Sequence, residues 1–472
     1  MSSETKLAPE TSETLKLARV VPWWMLIPWL IGGVTGGDFF MTNEFIASQA
    51  GPLTHWGYLF AGLFIVVMSF VYWELISTYP YTGGEYVFLS RALGKFPGYI
   101  IFFVYAWNFV FWIPLNISVA GTYLYHILGG VGVPAWAWSL GLAILFHWVA
   151  YRGIYFSTVV QVVMSVIAIL GITLTYFVPM LIAPSSFLAQ AAVQLPLSGG
   201  IGGNLLDMMA VAGLCITFMV GFEVVPLLAE EINAPPKQFG FIQTTGSLGM
   251  SMVQALSALG FIAIVPLARW AELSGGEIPI PVALHEVAPN LFPVWLVKVL
   301  LATCMVSGFS TILTAITGFS RGLYALARDY RLPEVFARLH PKYKSPVGAI
   351  ILSFGMALLG SFQRWVVDYA FALVLATMFM YILIPIVHII LRKKEPDKKR
   401  PVHTPFYPWI NIIAFCWAIY MLWYQARTVP ISVWYFLAVV LVIGLLVYLW
   451  SDKRRTQKLK EMGVTEHYGL PV

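Results

Sequence analysis

Hydrophobic positions along this chain do not alternate with polar ones; they run together in long blocks separated by short polar turns. Twelve blocks are read, at about 22–48, 57–80, 97–128, 134–150, 155–182, 204–229, 241–266, 294–327, 346–362, 365–391, 407–426 and 431–450. As a helix, about 18 apolar residues or more cross roughly 30 Å of hydrocarbon. The pattern therefore predicts an all-α integral membrane protein with 12 transmembrane helices.

Two blocks are interrupted. The first carries Ile31-Gly32-Gly33-Val34-Thr35-Gly36-Gly37-Asp38-Phe39-Phe40, and the sixth carries Phe218-Met219-Val220-Gly221-Phe222-Glu223. Each Gly weakens a helix by about 1 kcal/mol relative to Ala. Irregular backbone at membrane depth survives only where protein buries it or where it lines a polar cavity. Blocks 1–5 and 6–10 superpose as two five-helix units, each opening on a broken helix. An odd number of spans per unit makes the second inverted, the 5+5 inverted-repeat plan of secondary transporters, whose substrate sits between the broken helices 1 and 6.

Lys and Arg orient the chain. With the N-terminus inside, Lys6, Lys16, Arg19, Arg91, Lys95, Arg152, Lys237, the 328–344 cluster, the 392–400 run and the 453–460 tail all lie inside, against Arg269, Lys298, Arg364 and Arg427 outside. This positive-inside bias places both termini in the cytoplasm of a cell (inner or plasma) membrane. It gives a division into a 1–20 tail, a 21–391 transport core, a basic 392–406 linker, a 407–451 pair of helices outside the repeat and a 452–472 tail. The segment 1–16 lacks an apolar targeting core and reads as a disordered lead-in, and 85–95 reads as an amphipathic helix at the interface.

Composition narrows the chemistry. With 59% apolar and 11% charged residues, nearly all the mass is membrane-bound and leaves no room for a catalytic domain. The net charge of +6 is a topology signal and a contact with anionic lipid, without the aromatic interleaving of a nucleic-acid surface. Cys215, Cys304 and Cys416 all fall in spans, and the histidines show no metal spacing, His147 and His388 reading as structural. No cofactor and no resident metal are expected.

An acid at mid-membrane is a functional candidate by default. Asp38 reads as a countercharge for an amine, a proton carrier, a cation ligand or a helix cap. Backbone N–H groups near Gly36, Gly37 and Asp38 suit an anion at a half-helix start. An ionised Asp38 about 4 Å from a substrate carboxylate would cost roughly 4 kcal/mol at an effective dielectric near 20. Asp38 is then protonated or cation-bridged, or the substrate is an amine without a carboxylate. Glu223 reads as a gate or proton-linked group; Asn43 and Glu44 line the entrance or face the bundle. Asn108 and Asn116 sit in the third block. Ser307, Ser310, Thr311 and Thr314 sit in the eighth, where Ser310 and Thr311 with Gly33 form a candidate sodium site or bond their own helix.

Three stretches together resemble the amino acid–polyamine–organocation family: Gly36-Gly37-Asp38-Phe39-Phe40; Glu74-Leu75-Ile76-Ser77-Thr78-Tyr79-Pro80-Tyr81-Thr82-Gly83-Gly84-Glu85-Tyr86 with Arg91-Ala92-Leu93-Gly94; and Gly221-Phe222-Glu223, Glu230 to Pro235 and Arg321 to Asp329 with Leu332-Pro333. The resemblance implies the leucine-transporter-type fold, with alternating access around a site between helices 1, 3, 6, 8 and 10. It implies a substrate carboxylate near Gly36, Gly37 and Asp38, and an amine near the carbonyls of Val34, Thr217 and Val220, with Thr35, Asn116 and Gly221 also at the site. Phe218, or Thr217, stands at the family's aromatic gate, and Glu223 matches its gating acid. Two features depart from the pattern. Asp38 replaces the second glycine of the nest, and the fifth block has no lysine where many proton-coupled members carry one, near Ala168.

The reading is a secondary transporter for an amino acid or related small amine, coupled to a proton or sodium or exchanging. A polyamine or monoamine transporter with Asp38 as countercharge is the alternative, and a non-transporting sensor the rival class. No nucleophile or metal set supports an enzyme.

Overall fold

The computed structural model describes residues 16–36, 39, 46, 53–129, 132–182, 200–265, 280–290, 292–361, 366–427 and 429–461. The first apolar block opens as a tight turn, Trp23–Met25, and α1, Leu26–Val34. Then come α2, Thr54–Thr78, the short α3, Gly84–Leu93, α4, Lys95–Ile127, α5, Ala135–Tyr151, and α6, Ile154–Ile182. The sixth block divides into α7, Gly200–Cys215, a 3-10 turn Ile216–Phe218, and the one-turn α8, Val224–Leu227. Beyond it lie α9, Phe239–Ile264, α10, Ile280–Val287, α11, Val294–Arg328, and α12, Val347–Ser361. α13, Val366–Lys394, α14, Trp409–Ala426, and α15, Ile431–Glu461, complete the described chain.

The protein is an all-α membrane protein. Among the described residues seven helical stretches are long and apolar enough to cross a bilayer: α2, α4, Ile154–Thr173 of α6, α11, Val374–Lys394 of α13, α14 and α15. Leu441, Val442, Leu446 and Leu449 on α15 and Val163, Ile167 and Leu170 on α6 stand exposed. A lipid solvent welcomes such faces.

α1 packs against α6, α9 and α11, while α4 is gripped by α11, α13 and α5. Small residues set these approaches. A Cβ on Gly32 would fall 2.3 Å from Ser165 Cβ of α6, and one on Gly33 would fall 2.2 Å from Thr314 Oγ1 of α11. Gly32 and Gly33 were expected to unwind the first helix; instead they remain helical and serve as contact surfaces, because membrane helices approach closely where side chains vanish.

Polar and charged groups gather at one end of the bundle in a connected layer. Arg321 of α11 makes a two-pronged pair with Glu231 at 2.9 Å, and Arg328 does the same with Glu230. Glu74 at the end of α2 receives Arg392, Arg400 and the Thr404 N–H, and Arg91 meets Glu395. Tyr86 and Arg455 converge on buried Asp329.

Three features differ from the sequence expectation. Residues 84–90 of α3 are buried throughout, so α3 is an interior element, not an interfacial one; its apolar residues pack inward while Glu85 goes with them. Val21–Pro22 pairs in parallel with Ile232–Asn233, forming β1 and β2, and Arg19 donates to the Ile232 and Ala234 carbonyls. Two-residue strands leave no periodic signal in sequence. Finally, α15 continues past its apolar run to Glu461, burying Arg455 and Leu459.

Arg321 and Glu231 are both almost fully buried. Glu231→Ala strands the guanidinium in low dielectric, so the unfolding midpoint in detergent falls, with a loss of about 3–5 kcal/mol. The apolar pair Glu231→Leu with Arg321→Met recovers most of that loss. An unchanged midpoint in Glu231→Ala would refute the assignment.

Candidate functional site

The two interrupted helices meet inside the bundle. α1 stops because Thr35 leaves helical geometry, at φ −79° and ψ 80°. Its N–H still reaches the Ile31 carbonyl at 3.1 Å, and the Gly36 N–H turns back onto the Val34 carbonyl at 2.9 Å. The Thr35 carbonyl, freed by the break, accepts the Ser307 hydroxyl of α11. Its own hydroxyl Oγ1 is buried without a partner among the described residues.

The second break is held from three sides. Gly221 sits at φ +124°, a region open to glycine and costly for other residues. An added Cβ there would lie 2.4 Å from Trp112 Cη2 of α4 and 3.2 Å from Val34 Cγ2. Val34 and Gly221, one from each break, thus pack against each other beneath Trp112. The Gln254 amide of α9 donates to the Phe218 carbonyl at 2.6 Å, and the Glu223 carboxylate accepts from the Gly221 N–H and the Tyr381 hydroxyl of α13, both at 2.9 Å.

The structure brings Val34, Thr35, Gly36, Phe218, Val220, Gly221 and Glu223 into this buried region. Gly37, Asp38, Asn43 and Glu44 lie outside the described residues. The Gly36 N–H, expected to face a substrate carboxylate, is bonded within the turn. Thr217 shares its hydroxyl with Gln425 of α14 at 3.3 Å. Asn116, one turn beyond Trp112, donates to the Trp112 carbonyl at 3.2 Å and keeps a buried oxygen without a partner among the described residues. Asn108 instead ties α4 to Thr377 of α13 at 2.6 Å.

Hydroxyls of α11 mostly serve their own helix. Thr311 bonds the Ser307 carbonyl at 3.3 Å and Thr314 the Ser310 carbonyl at 3.2 Å. Ser310 meets Ser165 of α6 at 2.9 Å. Beside Gly33, the Gln161 amide of α6 donates to Thr314 Oγ1 at 2.5 Å and to the Trp29 carbonyl at 3.4 Å. Gln161 therefore joins helices α1, α6 and α11. The sequence reading marks only the missing lysine near Ala168 and does not single out Gln161, although a glutamine inside an apolar block is itself a signal. Trp112, Tyr381 and Gln254 were also overlooked; Gln254 carried the same signal, while the aromatics resembled their neighbours.

A family profile described as amino acid permease matches residues 22–450. The chain belongs to the amino acid permease family. It is 24% identical to the branched-chain amino acid permease BcaP of Bacillus subtilis, over 90% of this chain and 91% of that protein. It is 25% identical to the gamma-aminobutyric acid permease of Escherichia coli, over 81% and 82%. A methylthioribose transporter of Bacillus subtilis is 25% identical over 94% and 95%. This permease is a transporter and not an enzyme, and amino acid transport is the activity its family supports.

Two substitutions test the junction. Gly221→Ala forces an L-residue into a region costing about 1–2 kcal/mol and pushes Trp112 aside, so the permease melts lower and loses uptake. Ser307→Ala leaves the Thr35 carbonyl buried and unpaired, a loss of about 1–3 kcal/mol; a thermal melt indistinguishable from the parent would show that this carbonyl needs no partner.

Proposed function

We propose that this permease carries a neutral amino acid by alternating access, with the substrate bound where the two interrupted helices meet. The contact between Val34 and Gly221 under Trp112 carries the reading. It sets two stretches of unwound backbone side by side in a buried place, the arrangement that broken-helix transporters use for ligands. Val34, Trp112, Phe218 and Val220 give it apolar walls, suited to an apolar side chain, and BcaP is named for branched-chain substrates. In this reading twelve helices cross the membrane, the first ten as a 5+5 inverted repeat, with both termini cytoplasmic. The amino group meets carbonyls of the breaks, and the carboxylate the N–H groups at 37–38, with Asp38 protonated or bridged.

Coupling to sodium at Gly33, Ser310 and Thr311 finds little support. The Gln161 amide already gives an N–H to the oxygens beside Gly33, and Ser310 and Thr311 are engaged with Ser165 and Ser307. Replacing sodium by choline is expected to leave uptake unchanged.

The deciding experiment is ligand-induced thermal stabilisation of the purified permease, pairing each amino acid with its decarboxylated amine. A ligand at 100 times its dissociation constant adds about 2.7 kcal/mol of stability. Stabilisation by leucine, isoleucine or valine supports the reading. Stabilisation by the amines alone would overturn it and make Asp38 an amine countercharge.

A further inference from the structure

A second acid stands behind the second break. Glu85, at the start of α3, is completely buried, and neither carboxyl oxygen has a hydrogen-bond partner among the described residues. α3 packs against α4, α8 and α13. Its Gly84 lies so close to α8 that a Cβ would fall 2.4 Å from Pro226 Cβ, three residues beyond Glu223. Glu85 and Glu223 are consequently within electrostatic reach of each other.

The groups that face the two acids are phenols. The Tyr72 hydroxyl of α2 faces Glu85 and the Tyr105 hydroxyl of α4 faces Glu223, each interacting with its acid from outside full hydrogen-bond geometry. Tyr381 of α13 donates to Glu223. Among the described residues no basic side chain joins them: Arg321 and Arg328 of α11 are bonded to Glu231 and Glu230. Three of the four carboxyl oxygens, Glu85 Oε1 and Oε2 and Glu223 Oε1, are buried and unpartnered.

Two unpaired carboxylates buried near one another would each carry a desolvation cost of several kcal/mol and would repel one another. The donors divide unequally. Gly221 N–H and Tyr381 O–H both close hydrogen bonds to Glu223, which suits a negative charge there; Glu85, with only the Tyr72 phenol beside it, suits a neutral acid.

We propose that Glu85 and Glu223 form a proton-binding site that holds one exchangeable proton between them, and that the position of this proton controls the second break. In the arrangement described, the proton is on Glu85. When it transfers, the O–H bond of Glu85 breaks, one forms on Glu223, and the negative charge moves to Glu85. Glu223 then accepts less strongly from Gly221 N–H and Tyr381 O–H, which frees the turn that packs on Val34. The site lies on the side of the break toward the arginine-rich end of the bundle, where Arg328 bonds the Thr82 carbonyl. The consequence for transport rests on the reading of the preceding section; the proton site itself does not.

The test is an infrared pH titration of the full-length protein in lipid nanodiscs, following the C=O stretch of protonated carboxyls, in choline buffer and without substrate. The wild type should keep a protonated-carboxyl band at neutral pH, where exposed glutamates are ionised, and lose it as pH rises. In Glu85→Gln or Glu223→Gln the proton affinity of the remaining carboxyl should change roughly tenfold or more, as coupled sites require, and Glu85→Asp should restore a shared band. A wild type with no such band overturns the proposal without any variant having to fold. So does a band that neither substitution moves. Loss of the band when sodium replaces choline at fixed pH overturns it as well, making the pair a metal-cation site. Because no substrate enters the measurement, uptake without the band defeats only the proton site, and the band without amino acid binding defeats only the substrate assignment.

Discussion

Everything in this bundle follows from one constraint: a peptide group released from a helix in a water-poor interior must find another partner. Each break meets it by a different device. At the first, the Thr35 carbonyl takes a hydroxyl from a neighbouring helix and the next N–H closes a tight turn on Val34. At the second, an amide caps the Phe218 carbonyl and a carboxylate caps the Gly221 N–H. The helices that supply these partners, α9 and α11, are thereby fixed around the two breaks, and α13 holds the capping carboxylate through Tyr381.

Much of the architecture was legible as a sequence. Long apolar blocks announced helices because a spanning helix needs length more than periodicity, and glycine clusters at residues 32–37 and Gly221 marked the two irregular places. What the glycines do there was less legible. Gly32 and Gly33 keep helical geometry and provide flat contact surfaces, whereas Gly221 provides a backbone angle that other residues resist. Composition alone does not separate these uses, since both read as small residues in an apolar run.

Side-chain partners were the least visible part. Gln161 lies within apolar sequence, yet nothing along the chain points to its partner Thr314, 153 residues away, and nothing marks Glu85 as buried beside a helix from the other half of the chain. Tyr72, Tyr105 and Tyr381 could not be singled out among 23 tyrosines, because their role depends on which face meets an acid. The amphipathic pattern of 85–95 misled for a related reason. A helix with polar residues is ordinarily turned to water, but here the polar face meets the polar layer of the protein itself.

That layer also bears on how the chain comes to be made. Asp329 is buried, and its two-pronged partner Arg455 arrives 126 residues later. Arg331, close by in sequence, comes only to 4.0 Å and is shared with Asp452. During synthesis the acid therefore emerges long before the cation that best neutralises it, and the interior stays electrically incomplete until α15 has been threaded in and its last turns have docked. A chain that stops before α15 keeps Tyr86 and Arg331 beside Asp329 but lacks the two-pronged pair with Arg455, so the closing helix is the last piece to complete the charge pairing of this layer.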